Sequence, residues 1–308
     1  MDCLEKIKLT IVIPTYNRKI LVRKCVESIL NQNSNGFQLS IVVVDDGSTD
    51  QTEQHLNDLI QSKKIHFHRI KNSERGFARN FGAHYALKNL SPDYFIFFDA
   101  DDILVPTALD QFHLALSKLT DADVLFARYQ ILEADEALGR TSPVRKNNSD
   151  FKKMVIYKEP IIPLGCTLLK SKTFSETNGF NEDRNLSGSE DWLFLFQIIL
   201  KYQVISLDFV TTLYRQHAGN THSNQFDRSL NYCLQFVEER SKAWALDEKQ
   251  VLGLKKQFIY NQIGAHNSDR SGKPFFHLKK MAFYYPLELL NPKFYKYFLS
   301  VIKNKLIH

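Results

Sequence analysis

The sequence predicts an α/β protein, with a mostly parallel sheet flanked by helices and a helical extension at the C-terminal end. Three observations predict it. Short apolar runs alternate with helical patterns of ten or more residues along the first part of the chain, which is the signature of strand-helix-strand units with right-handed crossovers. The polar clusters "PTYNR", "DDGS" and "DADD" each follow an apolar run, and open α/β sheets bind ligands beyond the carboxyl ends of their strands. From Asn224 onward the periodicity is helical. Two regions are therefore expected, residues 1–223 as the ligand-binding domain and 224–308 as a helical, basic and aromatic region.

The elements follow in order. "LTIVIPTYN" is a β-branched run that stops at Pro14, and "KILVRKCVESIL" then sets Leu21, Val22, Cys25, Val26, Ile29 and Leu30 on one helical face. In "LSIVVVDDGSTD" the strand Ile41 to Val44 meets a Gly-Ser turn, after which Asp50 or Ser48 is expected to cap a helix running to about Leu59. "IHFHRI" reads as a third strand and "ERGFARNFGAHYALKNL" as a helix from about Gly76. The fourth strand, "YFIFF", is four aromatics around Ile96 and runs directly into Asp99, Ala100, Asp101 and Asp102. A helix after Pro106 and a strand in "DVLFARYQIL" come next, and residues 133–160 are expected to form a mobile connection or flap. "LSGSEDWLFLFQIILKYQ" is apolar nearly all round, which predicts a buried helix.

Composition narrows the class. Of 308 residues, 44% are hydrophobic and 24% charged, as in a globular protein with a substantial core. Cys3, Cys25, Cys166 and Cys233 form no CxxC pair, which argues against a disulfide framework and a cysteine zinc site. No signal peptide or spanning helix is indicated, so a cytoplasmic location is expected. From Ser271 onward seven lysines face one acid, Glu288, so the net charge of +6 belongs to that segment and the rest is formally neutral. With no nucleic-acid module visible, nucleic acid is not an expected partner.

Three carboxylates at one strand end repel one another unless a cation or a hydrogen-bond network compensates. Mg²⁺ or Mn²⁺ shared with a diphosphate would do so; equally, acidic residues often simply end strands and begin turns. Neighbouring clusters favour a ligand. Asp46 could accept a nucleobase N–H with Asp45 in support and Gly47 permitting close approach. Tyr16 could stack on a base, and Arg75 and Arg79 suit phosphate or base contacts. Taken singly, these residues also fit a turn, a core tyrosine and solvated helix arginines. Glu190 and Asp191, likewise, could merely complement the dipole of their helix after a serine cap.

The ordered set "VIPTYNR", "VVVDDGSTD", "RGFARNFG", "FFDADD" and "SEDWLF" resembles the family 2 inverting glycosyltransferases of GT-A (Rossmann-like) fold, over about residues 8–220. The resemblance implies a metal-dependent transfer of a sugar from a nucleotide sugar, expected to be UDP-linked, to an acceptor hydroxyl. It implies donor contacts from Pro14, Thr15, Tyr16, Asp46, Arg79, Asp99 and Ala100, with the nucleobase held by Thr15, Tyr16 and Asp46 and the ribose by Asp99. Asp101 would bind a divalent metal, Mn²⁺ or Mg²⁺, completed by His217, with His222 as the fallback. Asp191 would be the general base, with Glu190 and Trp192 near the acceptor. Asp102 receives no role from the resemblance. A glycan or lipid-linked acceptor of a bacterial surface polysaccharide or glycolipid is expected, as is contact of the basic C-terminal region with the inner face of the cell membrane. Two other functions fit less well. A sugar-phosphate nucleotidyltransferase would need a glycine-rich phosphate loop, and "PTYNRK" has no glycine; a noncatalytic nucleotide-sugar or glycan-binding module would not need Asp99, Asp101 and Asp191 together.

Overall fold

The computed structural model describes residues 6–119, 122–133, 136–144, 163–216, 223–265 and 273–306. Described residues up to 216 belong to one compact unit and those from 223 to a second.

In the first unit, β1 (Ile7–Thr15), β2 (Phe37–Asp45), β3 (His66–Arg69) and β4 (Tyr94–Phe97) pair in parallel in the order β3-β2-β1-β4. Helix α1 (Lys19–Leu30) connects β1 to β2, and its buried residues Val22, Cys25, Val26 and Ile29 are those of the expected face. Two short helices, α2 (Thr52–His55) and α3 (Asn57–Gln61), precede β3, and α4 (Glu74–Asn89) precedes β4. Beyond β4 the sheet becomes mixed. β8 (Thr167–Lys170) runs antiparallel between β4 and β6 (Val124–Leu132), β9 (Val204–Arg215) runs parallel to β6, and the two-residue β5 (Ile103–Leu104) is antiparallel to β9. The predicted α/β class with flanking helices is the observed one.

Three local expectations are corrected. Asp50 does not cap the helix after "DDGSTD": its carboxylate accepts the backbone N–H of Lys19 at 2.9 Å, at the start of α1, and the Thr52 hydroxyl at 2.5 Å. That helix is split at Leu56 into α2 and α3. The twelve-residue β9 has no counterpart in the sequence reading, because its apolar residues alternate irregularly and Asp208 interrupts them. Within the stretch read as a flap, β7 (Leu138–Thr141) pairs with β6; residues 145–162 lie outside the described residues.

After α5 (Ala108–Leu116) and α6 (Ser171–Ser175), helix α7 (Glu190–Lys201) explains why β4 is aromatic. The Phe97 ring meets Phe180 at 4.8 Å and Phe194 at 6.0 Å, while Phe180 and Phe194 stack at 4.0 Å. Offset and edge-on ring pairs add specific geometry to area burial. The aromatic strand is therefore the bed on which the first turns of α7 lie.

The second unit comprises α8 (Ser223–Arg240), α9 (Glu248–Ala265), α10 (Lys273–Tyr284), a single 3-10 turn at Pro286–Leu290 and α11 (Pro292–Leu306). Its core gathers Tyr260, Ile263, Leu278, Met281, Phe294 and Val301. Among the described residues no helix is long and apolar enough to cross a membrane.

Candidate active site

The polar loops after β1 and β2 leave the sheet side by side, because the register sets Thr15 opposite Asp45 and the Asp46 N–H donates to the Thr15 carbonyl at 2.8 Å. They are then laced together. The Asn17 N–H donates to Ser48 Oγ at 2.9 Å, and the Thr49 N–H to Asn17 Oδ1 at 2.7 Å. Asp45 closes its own turn by accepting the Ser48 N–H at 2.9 Å. Gly47 sits at φ +80°, the left-handed region that glycine tolerates, with Asn72 N only 3.0 Å from where a Cβ would stand.

Of the residues expected at the nucleobase, Pro14 and Thr15 are buried and Tyr16 is 47% exposed. Asp46 is more committed than expected. Its Oδ1 accepts the Ser73 N–H at 2.7 Å and its Oδ2 the Glu74 N–H at 3.0 Å, so it tethers the start of α4. Oδ2 also accepts Asn72 Nδ2 at 3.4 Å, so the second lone pair of Oδ1 is the capacity left for a ligand. Burial raises the Asp46 pKa, and the same two N–H groups pull against that rise.

The acidic loop after β4 divides into three different environments. Asp99 accepts Arg79 Nη2 at 2.7 Å and keeps a quarter of its side chain exposed. Asp101 is paired with the guanidinium of Arg18. Asp102 is buried, and its Oδ1 accepts the Arg215 N–H at 2.9 Å where β9 ends, while its Oδ2 has no hydrogen-bond partner among the described residues. Burial, then the charges of Asp101 and Asp99, push the Asp102 carboxyl well above the ordinary range. Arg215 completes the brace: its Nε donates to the Asp101 carbonyl at 2.9 Å and its Nη1 to Glu136 at 2.8 Å. Asp102 and Arg215 thus fix the backbone that presents Asp101. Ala100 is buried between the carboxylates.

Arg79 and Glu190 are both buried. Arg79, expected at the donor, has no exposed side-chain surface, and its fork spans Asp99 and Glu190 Oε1, each at 2.7 Å. Glu190, expected at the acceptor, is 2% exposed; its Oε2 accepts the Gly188 N–H at 2.7 Å and Arg75 lies 3.6 Å from Oε1. Burial pushes Glu190 up, but the guanidinium groups of Arg75 and Arg79 outweigh it and hold the pKa below its ordinary value. Together the two residues lock the start of α7 to the acidic loop. Gly76 on α4 lets the Asn181 backbone come close, since a Cβ there would stand 2.3 Å from the Asn181 carbonyl oxygen.

Asp191, one residue on, is half-buried, and its Oδ1 accepts the Trp192 N–H at 2.6 Å. Ser189 stands at the N-cap of this helix, and its side chain makes no capping hydrogen bond there. Burial first, and then the neighbouring Glu190 carboxylate, raise the Asp191 pKa to about 6, against the pull of Arg79 and Arg75. A carboxylate poised there can take a proton near neutral pH. Trp192 is half-buried and stacks on Phe196 at 5.0 Å. Tyr214 on β9, which the sequence reading passed over, has its phenol pKa raised by burial and by Asp102, Asp99, Asp191 and Asp101. The carboxylates thus disfavour a phenolate there; its only sequence signal is its place just before Arg215.

The residues present fit a divalent cation. The Arg18 guanidinium on Asp101 marks this carboxylate as a seat for positive charge. Among the described residues no three His, Cys, Asp or Glu side chains are grouped to hold an ion by themselves. The protein's share would then be one or two carboxylate oxygens, a usual arrangement for Mg²⁺ bound jointly with a diphosphate. His217 and His222 lie outside the described residues.

A parallel βα half-sheet with laced loops at its carboxyl edge, joined to a mixed half that carries acidic side chains, is the GT-A form. Residues 10–177, more than half of the chain, match glycosyl transferase family 2, and the chain belongs to that family. It is 29% identical over 206 residues to a teichoic acid poly(glycerol phosphate) polymerase of Staphylococcus epidermidis, covering 63% of this chain and 26% of that one. It is 28% identical over 209 residues to a poly(ribitol-phosphate) beta-glucosyltransferase of Bacillus spizizenii, covering 65% and 31%. The chain therefore spans about a quarter to a third of these curated relatives. Among solved structures, S. aureus TarS aligns with a TM-score of 0.61 at 16% identity, over 97% of this chain and 54% of TarS. TarS 1-349 in complex with UDP-GlcNAc gives 0.55 at 15% identity, over 97% and 89%. The mannosyltransferase PcManGT from Pyrobaculum calidifontis, in complex with GDP-Man and Mn²⁺, gives 0.55 at 17%, over 98% and 88%. At these identities the structural likeness carries the fold alone.

Proposed function

We propose that this glycosyltransferase moves a hexosyl or N-acetylhexosaminyl group from a UDP-sugar to an acceptor hydroxyl with inversion, and that Asp191 is the general base. The observation that carries the proposal is Asp191 itself: a carboxylate with a pKa near 6, at the first turn of a helix that Arg79 and Glu190 lock to the acidic loop. Asp191 takes the acceptor proton as the hydroxyl oxygen attacks the anomeric carbon from the face opposite the nucleotide. The nucleobase lies along Thr15, Tyr16 and Asp46, and the ribose against Asp99. Asp101, with His217, would hold a divalent cation, which when bound offsets the charge that grows on the departing diphosphate. Arg18, paired with Asp101 here, would then be within the same loop cluster to meet the phosphates.

UDP as the nucleotide is supported by the UDP-GlcNAc complex of a protein of the same fold. A bacterial surface polymer or glycolipid as acceptor is supported by relatives named for poly(glycerol phosphate) and poly(ribitol-phosphate). Such an acceptor would meet the enzyme at the inner face of the cell membrane. The test is a screen of UDP- and GDP-sugars for nucleotide release with Mn²⁺, repeated in EDTA and with Asp101→Ala. Release from a UDP-sugar that both treatments abolish is expected; undiminished release in EDTA removes the metal from the account.

A further inference from the structure

The 3-10 turn Pro286–Leu290 is inside out. Its charged residue, Glu288, is buried, and the carboxylate accepts Lys256 Nζ at 2.9 Å, the Tyr260 hydroxyl at 2.8 Å and Asn291 Nδ2 at 2.8 Å. Its apolar residues face the other way: Leu287 is 77% exposed and Leu290 80%. Three hydrogen bonds to one carboxylate fix which side of the turn is inward, so the leucines are held out rather than left out. Phe283 and Tyr284, just before the turn, are also exposed. Along α10, Phe276, Lys280 and Phe283 recur at spacings of four and three residues, which places them on one face leading to this knuckle. On α11, Tyr295, Lys296 and Leu299 are exposed as well.

Charge identifies the occupant. The only acid after Ser271 is Glu288, and it is internal, while Lys279 and Lys296 are exposed. The outer surface of this segment therefore mixes aromatic and aliphatic side chains with positive charge alone. A second copy docked symmetrically would set lysines against lysines, whereas an anionic bilayer takes in the apolar groups and neutralises the lysines at its headgroups. We propose that the knuckle Phe283–Leu290, flanked by Lys279 and Lys296, is a lipid-binding surface that inserts Phe283, Leu287 and Leu290 into the interface of an anionic membrane. This goes beyond the expected contact of a whole basic region by naming the inserting turn. It is also independent of the chemistry proposed for Asp191, because the assay below measures no turnover.

The experiment is co-sedimentation of the full chain with phosphatidylcholine vesicles and with vesicles containing phosphatidylglycerol, at low and high salt. Leu287→Ser/Leu290→Ser and Lys279→Glu/Lys296→Glu are compared with the parent chain, and thermal melting checks that each is folded. Binding to the anionic vesicles alone, weakened by salt and reduced about tenfold or more in either double variant, is expected. Three results overturn the proposal: a parent chain that stays in the supernatant with anionic vesicles, folded variants that bind as the parent does, or a parent dimer in sedimentation velocity that Leu287→Ser/Leu290→Ser converts to monomer.

Discussion

Arg79 donates to Glu190 at 2.7 Å across 111 residues of sequence, and its other Nη nitrogen reaches Asp99. One buried guanidinium thereby joins the strand that ends in the acidic loop to the helix that begins with Glu190 and Asp191. A lysine keeps the charge but cannot span both carboxylates, because an ammonium is a point charge and a guanidinium a fork. Arg79→Lys is therefore expected to melt earlier, by about 2–4 kcal/mol of lost stability, and to lower nucleotide release at least about tenfold. Calorimetry and a release assay check this, and a variant with parental melting and rate would show the bridge to be unimportant.

The Asp191 pKa near 6 has a direct kinetic reading. A base must be ionised, so kcat/KM is expected to fall as pH drops through about 6 and to level off above it. Glu190→Gln removes one of the charges that raise Asp191, and should move this acid limb down by about half a unit to one unit. A glutamate that touched only the acceptor would change KM and leave the limb in place. The pH profile of the two proteins separates these outcomes.

Stability should respond with a definite sign. The folded state holds the Asp191 proton more tightly than the unfolded chain, whose value is about 3.8, so stability falls as pH rises through the window from about 4 to 6. Asp191→Asn removes that cost. It is expected to melt higher than the parent by about 1–3 kcal/mol of stability above pH 7, with the difference fading below about pH 4. Melting curves across this range test it, and a variant less stable than the parent at neutral pH would contradict it.

Asp101 and Asp102 should part company. Asp102→Asn keeps the oxygen that accepts the Arg215 N–H and replaces a carboxyl whose charged form burial already disfavours and whose second oxygen has no hydrogen-bond partner among the described residues. Parental or slightly higher stability with retained activity is expected, whereas Asp101→Asn should weaken the response to added Mn²⁺. Melting temperature and metal titration of the two variants provide the comparison.

These contrasts show what was legible in the sequence and what was not. Strand ends and turns were readable because they are local: "VVVDDGS" declares a strand, a turn and their junction. Which acid in "DADD" faces which neighbour is not local, since Asp102 turns toward Arg215 on β9, a strand whose irregular alternation gave no signal. The dipeptide Glu190-Asp191 was likewise located but not oriented. Only the burial of Arg79 against Phe180, with its guanidinium 5.3 Å from the ring centre, reveals that Glu190 points inward. Asp46 was placed at the correct edge, yet its hold on the start of α4 depends on a loop 27 residues away.

The central claim is that Asp191 removes the acceptor proton. UDP release in Mn²⁺, measured for the parent and Asp191→Asn at saturating UDP-sugar and acceptor, tests it most directly. A loss of at least about 100-fold in rate with UDP affinity unchanged is the expected result. Release at the parental rate by a folded Asp191→Asn protein would contradict it.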